Sequence, residues 1–137
     1  SDDFTDGTGA DQADVIWHDQ RTVSASSNDD LDLAGSLTNS FGATVTFAKV
    51  KGIYIQNTNT TAGDIITVGG EGSNEFSTPF GADGDKVKIG AAGVFALYDP
   101  SAAAYAVTAG TDDKLRISET GGANAAVYNI VIIGTTA

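Results

Sequence analysis

The chain has 137 residues, enough for one domain, and carries 18 Asp and Glu against seven Lys and Arg, a net charge of −11. That sign opposes binding to nucleic acid or to an anionic membrane, since both need a cationic surface, and no apolar run approaches the roughly 20 residues that span a bilayer. The absence of cysteine excludes disulfides and thiolate metal sites, and Val, Ile and Thr (36 residues) outnumber Leu, Glu, Gln, Lys and Arg (18) two to one, which favours strands over helices.

Residues 1–14 read as an acidic N-terminal arm without structure of its own, and residues 15–137 as one β-sandwich domain. Residues 1–32 hold nine Asp against one Arg, a net of −8, whereas residues 33–137 hold nine acids against six bases, a net of −3. Ser1 is small, so removal of an initiator Met accounts simply for the missing Met, with cleavage of a longer leader as the alternative; no signal peptide is visible.

A first strand is predicted over Val15 to Val23, with Val15, Trp17 and Val23 on one parity. A short strand follows over Leu31 to Leu33, then a loop over 34–43. Thr44 to Gln56 is a long extended run in which Lys49 and Lys51 interrupt the apolar parity of Val45, Phe47, Ile53 and Ile55, so a bulge or bend is expected between Ala48 and Gly52. Ile65 to Val68 is a strand, and Phe76 to Phe80 a short edge segment because Pro79 cannot donate to a ladder. Lys86 to Ile89 and Val94 to Tyr98 read as a hairpin joined by GAAG. Tyr105 to Thr108 and Leu115 to Ser118 follow. Val127 to Ile133, VYNIVII, is apolar on both parities, the pattern of a strand covered on both faces, so Ile130, Val131 and Ile132 are all expected in the core. Nine or ten short strands without a helix point to an all-β, jelly-roll-like antiparallel β-sandwich with an extended N-terminal arm; an immunoglobulin-like sandwich is the alternative.

Candidate chemistry is sparse. His18 is the only histidine, with Asp19 beside it, but no G-x-S-x-G elbow exists, and a strand position explains His18 more simply than a triad. Asp29, Asp30, Asp32 and Asp83, Asp85 are oxygen-rich, yet neither group has EF-hand spacing, and turn chemistry is the simpler role. The three glutamates, Glu71, Glu75 and Glu119, lie in or beside Gly-rich turns, a poor setting for a glycosidase carboxylate pair. No catalytic residue, metal site or cofactor is therefore assigned.

Six of the seven basic residues fall as i, i+2 pairs, Lys49/Lys51, Lys86/Lys88 and Lys114/Arg116, each placing two cations on one side of a strand. With the acidic positions of the arm, Asp2, Asp3, Asp6 and Asp11, and its single aromatic, Phe4, they form the candidate protein interface; a solvated face or edge protection is the simpler reading of the lysines. The arm is expected to reach a neighbouring subunit or shell, because its carboxylates cannot enter a core. Trp17, Tyr54, Tyr98 and Tyr105 are candidates for a platform that stacks on a sugar, Trp17 and Tyr105 the pair singled out; a place in the core or a subunit interface is the simpler reading of such aromatics.

The segment from Leu31 to Gly134, about three quarters of the chain, resembles a family of small bacteriophage virion proteins. The phrases that carry the likeness are LDLAGSLTNSFGATVTFAKVKGIYIQNTNTTAGDIITVGG, FSTPFG, KVKIGAAGVFALYDP, YAVTAGTDDKLRI and VYNIVIIGT. The resemblance implies a structural component of the virion, a jelly-roll decoration or cement protein on the capsid surface. Its partner would be the major capsid protein, its unit a homo-oligomer, a trimer by the threefold positions such proteins occupy. A carbohydrate- or receptor-binding head-fibre or tail module is the alternative.

Overall fold

The computed structural model describes residues 3–122 and 124–137, and among them every regular element is a β-strand. They are β1 (Thr5–Asp6), β2 (Gln12–Ala13), β3 (Val15–Val23), β4 (Asn28–Asp32), β5 (Leu37–Thr38), β6 (Thr44–Val45), β7 (Lys49–Asn57), β8 (Ile66–Gly69), β9 (Lys86–Ile89), β10 (Val94–Tyr98), β11 (Tyr105–Ala106), β12 (Lys114–Glu119) and β13 (Ala126–Thr135). They build an all-β sandwich. One sheet runs β10-β7-β13-β3, with β11 also paired to β7; the other runs β4-β12-β8-β9. Two small sheets, β1-β2 and β5-β6, flank them.

The core lies between the two large sheets. Trp17, Val23, Ile53, Ile55, Tyr128, Ile130 and Ile132 face inward from one, and Leu31, Ile66, Val68, Ile89, Leu115 and Ile117 from the other. Phe47 and Phe76 fill the ends. β13 alternates buried with less buried positions over most of its length, as a pleat with one covered face must, whereas β8, between β12 and β9, is buried throughout.

The predicted hairpin is corrected. Lys86–Ile89 and Val94–Tyr98 are strands, but β9 pairs with β8 in one sheet and β10 with β7 in the other, so the GAAG turn crosses the sandwich. Local turn residues mark where a chain bends; they do not choose which strand it pairs with next. The loop predicted over 34–43 also holds structure, because Leu37 and Thr38 pair with Val45 and Thr44 in a small hairpin.

The bulge expected near Ala48 to Gly52 is present. Ile133 pairs with Gly52 but the next residue, Gly134, pairs with Val50, which leaves Lys51 as the extra residue. The bulge resets the parity, so Val50 turns inward together with Ile53 and Ile55 although their numbers alternate. Gly134 is required opposite it: a Cβ there would lie 2.1 Å from the Lys49 carbonyl oxygen.

β13 is covered less completely than its sequence predicts. Ile130 and Ile132 are buried, but Val131 is only half-buried, because the outer face of its sheet carries no second layer within the chain.

Candidate functional site

The acidic segment lies on its own domain. Thr5–Asp6 pairs in parallel with Gln12–Ala13, the Asp11 N–H donates to the Pro100 carbonyl at 2.9 Å, and the Phe4 ring meets Tyr98 at 5.5 Å between centroids. Asp14 closes the segment by accepting from the Thr136 N–H at 2.8 Å and its hydroxyl at 2.6 Å. The argument that carboxylates stay out of a core holds here for side chains: Asp3, Asp6 and Asp11 are exposed, while backbone groups and Phe4 make the contacts. Asp2 lies outside the described residues.

The first basic pair does not form a cationic patch. Lys51, the bulged residue, is 0 % exposed, and its ammonium donates to the carbonyls of Gly9 and Pro100. Lys49 donates to the Ala102 carbonyl at 2.9 Å. Both cations serve the chain's own backbone, and Lys51 ties the N-terminal segment down through a carbonyl rather than a carboxylate.

The other two pairs meet. Lys86 and Lys88 on β9, and Lys114 and Arg116 on β12, stand on the outer face of the four-stranded sheet with β8 between them. Their face is mixed in sign. Arg116 makes a bidentate pair with Asp30, its cross-strand neighbour, at 2.7 and 2.9 Å, and this hydrogen-bonded pairing holds the Asp30 carboxyl below the ordinary range. Asp32 lies opposite Lys114. Lys86 and Lys88 remain exposed at the edge strand.

The proposed sugar-stacking pair is also corrected. Trp17 is 3 % exposed, its indole N–H donates to the Thr38 carbonyl at 3.0 Å, and the ring lies in the core. Tyr105 is half-buried against that core. Trp17 shares the parity of Val15 and Val23, the inward set of β3, so its burial follows from the same alternation that predicted the strand.

The carboxylates serve the fold. Asp29 accepts from Arg21 at 2.6 and 3.1 Å and from the Tyr128 hydroxyl at 2.6 Å, joining β3, β4 and β13. Burial, then this hydrogen bond, pushes the Tyr128 phenol well up, so it stays a donor. Asp32 accepts from the Ala34 N–H in a turn. Glu71 accepts from the N–H groups of Ser73 and Asn74, Glu75 from those of Gly70 and Gly84, and Glu119 from those of Ser26, Gly121 and Gly122. All three glutamates are buried turn-closing groups. His18 is exposed on β3, and Asp19 beside it turns to Arg21, the opposite side of the pleat.

Among the described residues two surfaces stand open, and sequence reasoning placed neither of them, although it named Tyr54 and Tyr98 as possible stacking aromatics. The first is the outer face of the five-stranded sheet. Three cross-strand rows run over β10, β7, β13 and β3. One is Tyr98–Gly52–Ile133–Ile16, the next Ala96–Tyr54–Val131–His18, and the third Val94–Gln56–Asn129–Gln20. None of these positions is Asp, Glu, Lys or Arg. In the third row the amides are linked, Gln20 to Asn129 at 3.0 Å and Asn129 to Gln56 at 3.5 Å. In the first, Gly52 leaves an apolar cleft of about 210 Å³ between Tyr54, Tyr98, Val131 and Ile133. Tyr54 and Tyr98 are exposed around this cleft, and Ile16 is 57 % exposed at the far end of the row. The signal in the sequence was the double apolar parity of VYNIVII, read as a buried strand rather than as an uncovered one.

The second is the tip of the β5–β6 hairpin. Phe41 there is 95 % exposed. The tip is pinned: Asn39 Oδ1 accepts from the N–H groups of Phe41 and Ala43 at 2.9 and 3.0 Å, the Asn39 N–H donates to the Ala43 carbonyl, and Gly42 takes φ +81°. No family model, curated protein or solved structure matches the chain.

Proposed function

We propose that this chain is a non-enzymatic structural module of a bacteriophage virion. On this reading it is a jelly-roll-like sandwich that sits on the capsid surface as a homo-oligomer. It binds the major capsid protein and stabilises the shell as a decoration or cement protein. Phe41 carries the docking part. Its ring stands clear of the domain on a tip fixed by the Asn39 hydrogen bonds. Burying such a ring on a partner is worth about 1.5–3 kcal/mol, and a tip already held in shape loses little freedom when it docks. Buried aromatic anchors dominate protein interfaces. The resemblance of Leu31 to Gly134 to small virion proteins supplies the shell as the partner. A protein that binds only the assembled shell stabilises it by mass action.

The test is binding of the full chain to purified particles that lack it. Phe41→Ser should keep the unfolding free energy within about 0.5 kcal/mol, since the ring makes no contact of its own, while attachment weakens by about tenfold or more. Attachment as tight as that of the parent chain defeats the reading, as does a purified virion in which mass spectrometry finds no copy of the chain. A carbohydrate-binding head-fibre or tail module is the second reading, favoured by Tyr54 and Tyr98 exposed beside the Gln56 amide. Glycan binding lost in Tyr54→Ala but retained in Phe41→Ser would select it.

A further inference from the structure

The double apolar parity of β13 calls for cover on both faces, and the chain covers only one. From the register of the open face we infer that its cover is a second copy of this chain, packed face to face across a two-fold axis that runs parallel to the strands between β7 and β13. The inference deepens the reading of the chain as a homo-oligomeric module and does not depend on which shell that module meets.

Charge selects the kind of partner. Each copy carries −11. Two such molecules associate most readily through a surface poor in carboxylates; the three rows of the five-stranded sheet hold no Asp, Glu, Lys or Arg, and Asp6 and Asp14 lie beside Ile16 and Ile133 at one end of it. The four-stranded sheet, by contrast, presents Asp30 and Asp32 among its bases. Four strands about 4.8 Å apart and three to four rows about 6.8 Å apart give roughly 500 Å² in projection. That exceeds what most crystal-packing contacts bury per partner and approaches the roughly 800 Å² per partner of specific complexes.

The shape is self-complementary, as an isologous interface requires. Rotation about the stated axis keeps each row on itself and exchanges its first position with its fourth and its second with its third. In the row Tyr98–Gly52–Ile133–Ile16, Ile133 of one copy then enters the cleft over Gly52 of the other, a knob facing a hole. In the next row, Ala96, the smallest side chain, meets His18, and Tyr54 meets Val131. In the third row, Gln56 meets Asn129, amide against amide, and Gln20, which faces Val94, keeps its hydrogen bond to Asn129 within its own chain, so these polar groups are not buried unpaired. The complementary pairs are Gly52 with Ile133, Ala96 with His18 and Gln56 with Asn129, while Tyr98 packs on Ile16 and Tyr54 on Val131 as apolar contacts.

The experiment measures the mass of the full chain by light scattering and sedimentation, with its variants. Two copies of the 13.9 kDa chain are expected. Ile16→Glu and Ala96→Glu, at exposed positions, should keep the β spectrum and weaken association about tenfold or more. Lys88→Glu on the other sheet should leave the mass unchanged. Because the chain has no cysteine, the register can be probed directly. An equimolar mixture of Ala96→Cys and His18→Cys should cross-link through a bis-maleimide of about 10 Å span, the spacing of packed sheets, whereas each variant alone should not, its two thiols lying about 14 Å apart sideways. A monomer at the highest soluble concentration, a trimer, or equal cross-linking of the single variants overturns the two-fold interface. A monomer that still attaches to particles through Phe41 removes this inference alone, and a dimer that attaches to none removes only the virion reading.

Discussion

Glu119 shows what a single carboxylate does when it closes a corner. It sits at the end of β12, buried, and collects three backbone N–H groups from two turns, Ser26 on one side and Gly121 and Gly122 on the other. The Ser26 N–H, together with the two glycine donors, holds its carboxyl below the ordinary glutamate value of 4.5. A depressed folded-state value adds stability that is fully present above the unfolded value and is lost as pH falls through the folded one. The chain should therefore lose stability on acidification below about pH 4.5, the ordinary glutamate value. Glu119→Gln, which keeps the shape but lowers the acceptor strength, should be less stable at neutral pH and show a flatter acid limb in urea titrations against pH. Parallel limbs for parent and variant would mean that other carboxylates set the acid response. Glu71, held down by the Asn74 and Ser73 N–H groups, works in the same direction at the neighbouring turn.

At the scale of elements, β13 offers the clearest division between core and surface. Ile132→Ala should cost about 2–5 kcal/mol, because it empties a fully enclosed site. Val131→Ala, one residue away on the half-buried face, should cost the isolated chain about 1 kcal/mol or less. Chemical denaturation of dilute protein separates the two, and equal losses would contradict the one-sided cover. Strand positions were legible in the sequence wherever alternation was clean: Val15–Val23, Lys86–Ile89 and Val94–Tyr98 match their predicted limits. The bulge at Lys51 was legible too, because Lys49 and Lys51 interrupt the apolar parity that Val45 and Phe47 share with Ile53 and Ile55. Pairing was not legible. GAAG looks the same whether it returns a strand to its neighbour or carries it to the opposite sheet, and that choice is made by distant partners, Val68 for Val87 and Ile55 for Phe95. The candidate sites failed for a related reason. Period-two spacing placed Lys86 and Lys88 on one side correctly, and put Trp17 on the inward parity of β3, but could not reveal that the bulge turns Lys51 under the N-terminal segment. Phe41 gave no signal at all, since a lone Phe in a polar loop reads equally as a plug for the core or as an exposed tip.

For the whole molecule, the sandwich has unlike outer faces, one of mixed charge and one whose three central rows carry no Asp, Glu, Lys or Arg, and a strap of acidic chain folded over one end. Removing residues 1–13 takes away four Asp and brings the net charge from −11 to −7. It also uncovers the Lys51 ammonium, which loses the Gly9 carbonyl. The truncated chain should keep its β spectrum in circular dichroism and lose about 1–2 kcal/mol of stability. If the outward carboxylates Asp6 and Asp11 also engage a cationic partner, attachment to particles should weaken on truncation. That loss should shrink as salt rises, since exposed charges are screened beyond roughly 8–10 Å at physiological ionic strength. Equal attachment of both forms at low and high salt would leave the segment with a purely intramolecular role. The clasp between Asp14 and Thr136 carries a mechanical consequence. It brings the start of β3 and the end of β13 to the same end of an antiparallel pair. Tension applied between those two points therefore acts along the inter-strand hydrogen bonds and opens them one after another like a zipper, beginning at Asp14. A pull applied instead across the length of the strands loads the whole ladder at once. The sandwich should thus yield at low force when drawn by its ends and resist when sheared through its faces.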